Sequence, residues 1–378
     1  MILNHPQIID STLREGEQTP GVTFSESTKR AIIAGLHQVG IDEIELGIAS
    51  VGHSHLVQLI TDARRLTQGA CRLGLWCRCL EEDIVFAASC RPDVLSLSIP
   101  VSDSHIRDRL RKNRAWVKET LAQSIRQALA AGIPSVSVGF EDASRAPLHF
   151  LLELAKIAEQ NGAQRVRLAD TVGICSPEGI RKLIQALKNT VQLEVAVHCH
   201  NDFGMATANS IAALEAGAQA LDATVLGLGE RAGNCRLEEV VGYLTLVLGS
   251  GKYSINRLSS LCQDVAKAAQ KRIPDNHPLV GSEIFTCESG LHQHGLTVNP
   301  TTYEPYAPER VGKKSTLRFG KKTGKKAVTL QLEQQGIRLD EAQTGLLLHR
   351  IRSGEQTLSK GQLLRLAVED IHYNNDAL

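Results

Sequence analysis

The sequence predicts an α/β protein: a (β/α)8 (TIM) barrel followed by a smaller, mainly helical C-terminal region. Three observations carry that expectation. From residue 7 to about residue 249, short β-branched runs alternate with longer amphipathic stretches in eight strand–helix units. The turn after the first run reads Arg14-Glu15-Gly16-Glu17-Gln18 rather than a glycine-rich phosphate loop. That disfavours a doubly wound open sheet, the alternative for such a pattern. After about residue 251 the alternation stops, and separate helical segments and proline turns replace it. With 378 residues, the chain suits one large domain, residues 1–255, and an appended one, residues 256–378.

Strands are expected at 7–12, 43–46, 71–76, 94–99, 135–139, 165–169, 193–198 and 220–225. They are short and aliphatic, as strands covered on the outside by helices should be. The helix at 25–39 opens on Ser25, a good N-cap, and ends at Gly40. The helices at 113–131, 147–161 and 205–216 likewise end at Gly132, Gly162 and Gly217, and the one at 177–188 opens on Pro177. Beyond the barrel lie a helix at 258–271, a turn at 273–280 with two prolines and a polar motif at 281–295. A basic stretch at 312–326 with seven Lys/Arg residues follows, then helices at 328–335, 340–351 and 361–369 and a frayed end.

Composition narrows the function. A net charge of +1 argues against a general polyanion binder, and Phe319 is the one aromatic residue in the basic stretch, which reads as a solvated face rather than a nucleic-acid groove. No run of about 18 apolar residues exists, so no membrane helix is expected. The first seven residues lack a basic-then-apolar pattern, so no leader is expected either. Nine scattered cysteines, without a zinc-type spacing at Cys77-Arg78-Cys79, suit reduced thiols in a cytoplasm.

The chemistry concentrates at strand ends. Alternate residues of a strand share a side, so His198 and His200 aim two imidazoles at one point beyond the seventh strand. By itself such a pair is as readily structural as metal-binding. In a barrel, however, Arg14 and Glu15 follow the first strand and Asn234 follows the eighth, and strands seven, eight and one run consecutively around a closed barrel. Glu15, His198, His200 and Asn234 can therefore converge as a mixed N/O set. Such a set suits Mg²⁺, Mn²⁺ or Zn²⁺ with coordination positions left open. Beside Arg14 it could polarise a carbonyl. Gly227-Leu228-Gly229 mimics a dinucleotide fingerprint but follows the wrong strand and lacks the acidic residue downstream.

Two longer motifs then resemble a known family. Leu13-Arg14-Glu15-Gly16-Glu17-Gln18, followed after ten residues by Lys29, and Val195-Ala196-Val197-His198-Cys199-His200-Asn201-Asp202-Phe203-Gly204 resemble the two signatures of acyl-CoA Claisen-condensing synthases. That family includes 2-isopropylmalate, citramalate and homocitrate synthases. Glu288-Ser289-Gly290-Leu291-His292 and Tyr303-Glu304 resemble its linker motif, and Gly320-Lys321-Lys322-Thr323-Gly324 its following subdomain.

The resemblance implies a divalent metal on Glu15, His198 and His200, with Asn234 a ligand or close behind. It implies Arg14 on the ketone oxygen of a 2-oxo acid and Thr171 on its carboxylate. Glu141 and His292 would carry protons, with Tyr303 nearby. In such relatives the linker histidine enters the partner subunit's site, which implies a homodimer. The segments 99–105, 141–145 and 222–231 are most similar to the nitrogen-fixation branch of homocitrate synthases. This implies acetyl-CoA and 2-oxoglutarate as substrates and a product that serves the nitrogenase iron–molybdenum cofactor. The chain also ends short of the long leucine-sensing region of isopropylmalate synthases. Leu80 and Ser137 stand where lysine-pathway homocitrate synthases carry a histidine and an arginine for the distal carboxylate. Arg78, Ser137 and Arg145 are therefore the expected lining of that part of the pocket.

Overall fold

Eight parallel strands close into a barrel in strict chain order: β1 (Gln7–Asp10), β2 (Glu43–Ile48), β3 (Arg72–Arg78), β4 (Val94–Pro100), β5 (Val136–Glu141), β6 (Arg165–Asp170), β7 (Glu194–Cys199) and β8 (Ala220–Ala223). Closure is direct, because Ile9 of β1 lies opposite Glu43 of β2 on one side and Asp222 of β8 on the other. The computed structural model describes residues 6–375. The first five of the seven residues on which the no-leader expectation rests, and part of the expected frayed end, lie outside them. Among the described residues, no helix is long and apolar enough to cross a membrane.

The helices returning the chain are α1 (Glu26–Val39), α2 (His55–Leu66), α3 (Glu81–Cys90), α4 (Arg114–Ala130), α5 (Leu148–Gln160), α6 (Pro177–Lys188), α7 (Ala206–Glu215) and α8 (Leu237–Gly242). The expected cap Ser25 accepts a backbone N–H of the first turn of α1, and Asn113 and Ser176 do the same for α4 and α6. α2 and α3 carry weak sequence signals for a physical reason. Neither has a capping side chain, and α3 ends on Arg91 in a left-handed conformation where a glycine would have flagged the stop.

The chain divides between Ile273 and Pro274 rather than after residue 255. The helix α9 (Leu258–Ala268) explains the difference, since it packs against α1 as part of the barrel unit. A Cβ on Gly35 of α1 would come within 2.8 Å of Leu261 Cδ1, so the missing side chain lets the two helices meet closely.

Side chains alternate along each strand. Ile44, Leu46, Val166, Leu168 and Val197 are buried outward under the helices, whereas the lumen is largely charged. Arg165 donates to Glu43 across the barrel, and Arg167, two residues on, donates to Glu45 and Asp222. A small apolar plug of Ile9, Ala196 and Ala220 fills the space beside them. Buried charges on this scale persist only when each is paired, and these ladders pair them.

The second unit contains β9 (Thr286–Cys287), α10 (Gly290–Val298), β10 (Thr316–Phe319), α11 (Lys325–Glu333), α12 (Glu341–Ser353), β11 (Leu358–Ser359) and α13 (Lys360–Asn375). It is mainly helical, as expected, around Phe319, Val328, Leu332, Leu347, Ile351 and Leu363. It also holds a three-stranded sheet, β11-β10-β9, that the sequence does not announce. Strands of two to four residues are too short to display an alternation.

Candidate active site and metal centre

The C-terminal ends of β1, β7 and β8 bring Glu15, His198 and His200 together, all buried, with one ligand atom of each within 4.8 Å of the others. The hydrogen bonds assign the histidine tautomers. His198 Nδ1 lies 2.8 Å from Asp222 Oδ2, and His200 Nδ1 lies 2.7 Å from the Thr171 carbonyl oxygen. Both acceptors call for an N–H at Nδ1, the Thr171 carbonyl being nearer to His200 Nδ1 than Arg231 Nη2 at 3.1 Å, and this leaves both Nε2 atoms with lone pairs. Those two Nε2 atoms face one another at 3.3 Å, and Glu15 Oε1 is 3.8 Å from the Nε2 of His198. Burial holds both rings in the neutral form: His198 is lowered, and His200 is pushed down to about 3 by burial and by His198.

Three electron-rich atoms converging in a buried space are repulsive without a cation among them. Further observations support that fit. Glu15 Oε2 and Asn234 Oδ1 are buried without a hydrogen-bond partner. Asn234 is paired through its backbone to His200, and its Nδ2 donates to the Leu228 carbonyl at 2.8 Å, so the amide's orientation is fixed with the oxygen left over. Around this point, Arg14 and Arg167 face three carboxylates, those of Glu15, Glu45 and Asp222. The balance is one net negative charge. The donor set therefore fits a divalent cation, and the carboxylate–histidine pairing of Asp222 and His198 is the usual support behind such a ligand.

The loop that delivers Asn234 is tightly folded. Gly233 has φ +87°, Asn234 N donates to the Gly227 carbonyl at 2.9 Å, and a Cβ on Gly233 would overlap that carbonyl oxygen. Leu226 holds φ +60° next to it. The glycines that imitate a dinucleotide fingerprint are requirements of the same turn: Gly227 has φ +65° and a Cβ on it would come within 2.9 Å of the Asn234 carbonyl oxygen, and a Cβ on Gly229 would overlap Asn234 Nδ2.

Arg14 is buried beside the centre. Its Nε donates to Glu45 Oε2 at 2.6 Å, its Nη1 pairs with Glu15, and the guanidinium lies 5.7 Å from the centroid of the Trp76 ring. Two carboxylates and the ring fix its orientation, while Nη2 keeps its donors for a ligand. Burial pushes Glu45 upward, but Arg14 and Arg167 outweigh it and hold the carboxylate ionised. Asp222 behaves alike: burial raises it, and Arg167 and His198 bring it below the usual range. Asp10 lies behind the site instead. It accepts from Thr12 N and Oγ1, and burial raises it to about 7.

Thr171 joins the centre through its carbonyl, and its hydroxyl accepts the Asp142 N–H at 2.8 Å while retaining its own proton for donation. Glu141 ends β5, where Ser98 Oγ donates to its Oε1 at 2.8 Å and Arg109 pairs with its Oε2. Arg145 therefore does not partner Glu141. It pairs with the buried Asp142 through Nε and Nη2. Arg78 is likewise engaged, its Nε and Nη2 donating to Asp83 at 2.7 and 3.0 Å.

Ser137 requires a correction. It lies opposite Arg165, four residues before Glu141 on the same strand, or roughly 13 Å lower. The Arg167 guanidinium covers the intervening Gly139. Ser137 thus belongs to the lower lumen and cannot line a pocket at the mouth. His292 and Tyr303 lie in the second unit, where their ring centroids are 4.2 Å apart and the planes are tilted by 35°.

Sequence reasoning passes over Asp222, Glu45, Arg167 and Arg109. For two of them a signal exists: Glu43-Ile44-Glu45 and Arg165-Val166-Arg167 place charges at alternate positions of otherwise apolar strands, which marks a charged lumen.

Known proteins resemble the chain in both units. The HMGL-like family matches residues 5–265, and the homocitrate synthase post-HMGL domain-like family matches residues 279–357. A homocitrate synthase from Frankia alni is 40% identical, over 86% of this chain and 93% of that protein. The 2-isopropylmalate synthase 2 of Caldanaerobacter subterraneus subsp. tengcongensis is 39% identical, over 91% of this chain and 89% of that protein. The crystal structure of a Bacillus subtilis HMG-CoA lyase covers 71% of this chain and 95% of its own, with a TM-score of 0.64. At 19% identity that likeness shows the fold alone.

Proposed function

The chain belongs to the HMGL-like family, and from that premise we propose that it is a metal-dependent homocitrate synthase. It would condense acetyl-CoA with 2-oxoglutarate and hydrolyse the thioester to release homocitrate and CoA. The observation that carries this reading is the buried Glu15, His198 and His200 trio beside an arginine with donors to spare.

A divalent cation held by these three, with Asn234 beside them, supplies Lewis acidity at the ketone oxygen of the 2-oxo acid. The chain's own groups do the rest. The Thr171 hydroxyl donates to the substrate's first carboxylate. Arg14 donates to the ketone oxygen and strengthens that bond as negative charge develops on it. Glu141, oriented by Ser98, takes a methyl proton from acetyl-CoA, and the resulting carbon nucleophile bonds to the ketone carbon. Water then cleaves the thioester, which makes the sequence irreversible. The adjacent His292 and Tyr303 serve as proton carriers contributed by the second unit, and we place them in the site of the partner subunit of a homodimer.

Identity does not choose the oxo acid, since relatives named for different products stand at 40% and 39%. The preference for 2-oxoglutarate rests on the segments 99–105, 141–145 and 222–231, which resemble the nitrogen-fixation branch. On the same basis the product would serve the nitrogenase iron–molybdenum cofactor. A 2-isopropylmalate or citramalate synthase, with the same chemistry on another oxo acid, is the second reading.

A panel measuring free CoA thiol tests both layers. With acetyl-CoA and Mg²⁺, Mn²⁺ or Zn²⁺, release should depend on 2-oxoglutarate, with kcat/KM at least ~10-fold above that for 2-oxoisovalerate or pyruvate. Turnover of 2-oxoisovalerate without 2-oxoglutarate would overturn the substrate and keep the chemistry. No release with any oxo acid would overturn the chemistry.

A further inference from the structure

We propose that Arg109 is the receptor for the distal carboxylate of the oxo acid, and hence the residue that selects a dicarboxylic over a monocarboxylic substrate. The proposal rests on the condensation reading above.

It follows from how the cations around the barrel mouth are committed. Arg78 and Arg145 each give two donors to a carboxylate that is itself buried, Asp83 and Asp142. Arg231 gives two donors to Asp202 and a further bond to the Thr171 carbonyl. Arg14 is held between Glu45 and Glu15. Arg109 differs. Among the described residues its guanidinium makes one contact, Nη2 with Glu141 Oε2, and its side chain is 53% exposed. The other N–H donors of its fork have no protein partner among the described residues.

The position suits the role. Arg109 closes a π-helical turn, His105–Arg109, that follows β4, and β4 lies against β5 with Pro100 opposite Glu141. The turn thus sets the guanidinium beside the proposed proton carrier, at the level of the mouth. Widened helical turns of this kind recur where a side chain must be aimed at a ligand. Glu141 does not need Arg109 for its orientation, because Ser98 already holds Oε1.

An arginine fork presents two edges and accommodates a second carboxylate on the edge that the first leaves open. A dicarboxylic substrate engaging that edge is held beside Glu141. A monocarboxylic oxo acid makes no such contact.

The experiment compares kcat/KM for 2-oxoglutarate and for 2-oxobutyrate, which lacks the distal carboxylate, in the wild type, Arg109→Met and Arg109→Lys. Metal content and circular dichroism verify each fold. The ratio between the two substrates should fall by about 100-fold in Arg109→Met and by only about 10-fold in Arg109→Lys. Inhibition by glutarate, which carries both carboxylates and no ketone, should weaken in parallel. A ratio that stays within about 3-fold of the wild type overturns the proposal. That holds also when both activities fall together, since Arg109 would then serve Glu141 alone. A wild type with no preference for 2-oxoglutarate sinks the substrate reading and this proposal together. A wild type with that preference, preserved in Arg109→Met, sinks this proposal alone.

Discussion

Replacing His198 with alanine should strip the centre of its metal and the protein of its activity in one step. His198 supplies one of three converging donors, and its Nε2 lies 3.3 Å from that of His200. Without it, Glu15 and His200 form a two-donor site, and two-donor sites on this scale lose metal readily. The rate of CoA release should fall by about 10⁴-fold or more, because the ketone loses its strongest polarising group. The fold should survive, since Asp222 keeps its 2.7 Å bond from Arg167. Elemental analysis after gel filtration, run beside the CoA assay, reads both quantities. Full metal content in His198→Ala would remove this residue from the ligand set.

Arg14→Gln should separate charge stabilisation from metal binding. It removes the donor that strengthens as the ketone oxygen becomes negative, at a cost of about 10²–10³ in kcat. Metal content should stay near that of the wild type, because Glu15 and both histidines remain. The change also leaves Glu15 without its buried cation and Glu45 with Arg167 alone, a penalty of about 3–5 kcal/mol in stability. Adding Glu45→Gln to Arg14→Gln should restore most of that stability in a urea titration without restoring the rate. Recovery of rate with stability would mean that Arg14 holds the fold and takes no part in the reaction.

The legible part of the site is the part that strand parity encodes. His198 and His200, two apart at the end of an apolar run, must share a side, and barrel closure brings Glu15 and Asn234 to them. Depth along a strand is not encoded in the same way. Ser137 has the parity of Glu141 and so reads as its neighbour, yet it lies below the layer closed by Arg167. Partner choice among nearby charges is also hidden: Arg145 selects Asp142 rather than the adjacent Glu141. Arg109 leaves no trace, because a π-helical turn has no periodicity long enough to show. In the fold, the barrel is announced by eight repeating units, while α2 and α3 have neither a bonded N-cap side chain nor a glycine stop, being followed instead by Gln68 and Arg91 in the left-handed conformation. The second unit's sheet is missed because its strands are shorter than one full alternation.

The claim that most of this depends on is that Glu15, His198 and His200 hold one divalent cation at the point where the oxo acid binds. Anomalous diffraction from crystals grown with Mn²⁺ and 2-oxoglutarate tests it directly. The account predicts a single strong peak about 2.0–2.3 Å from Glu15 Oε, His198 Nε2 and His200 Nε2. The oxo acid should lie against that peak and Arg14. A fully active enzyme whose Mn²⁺ peak lies away from these three side chains would contradict it.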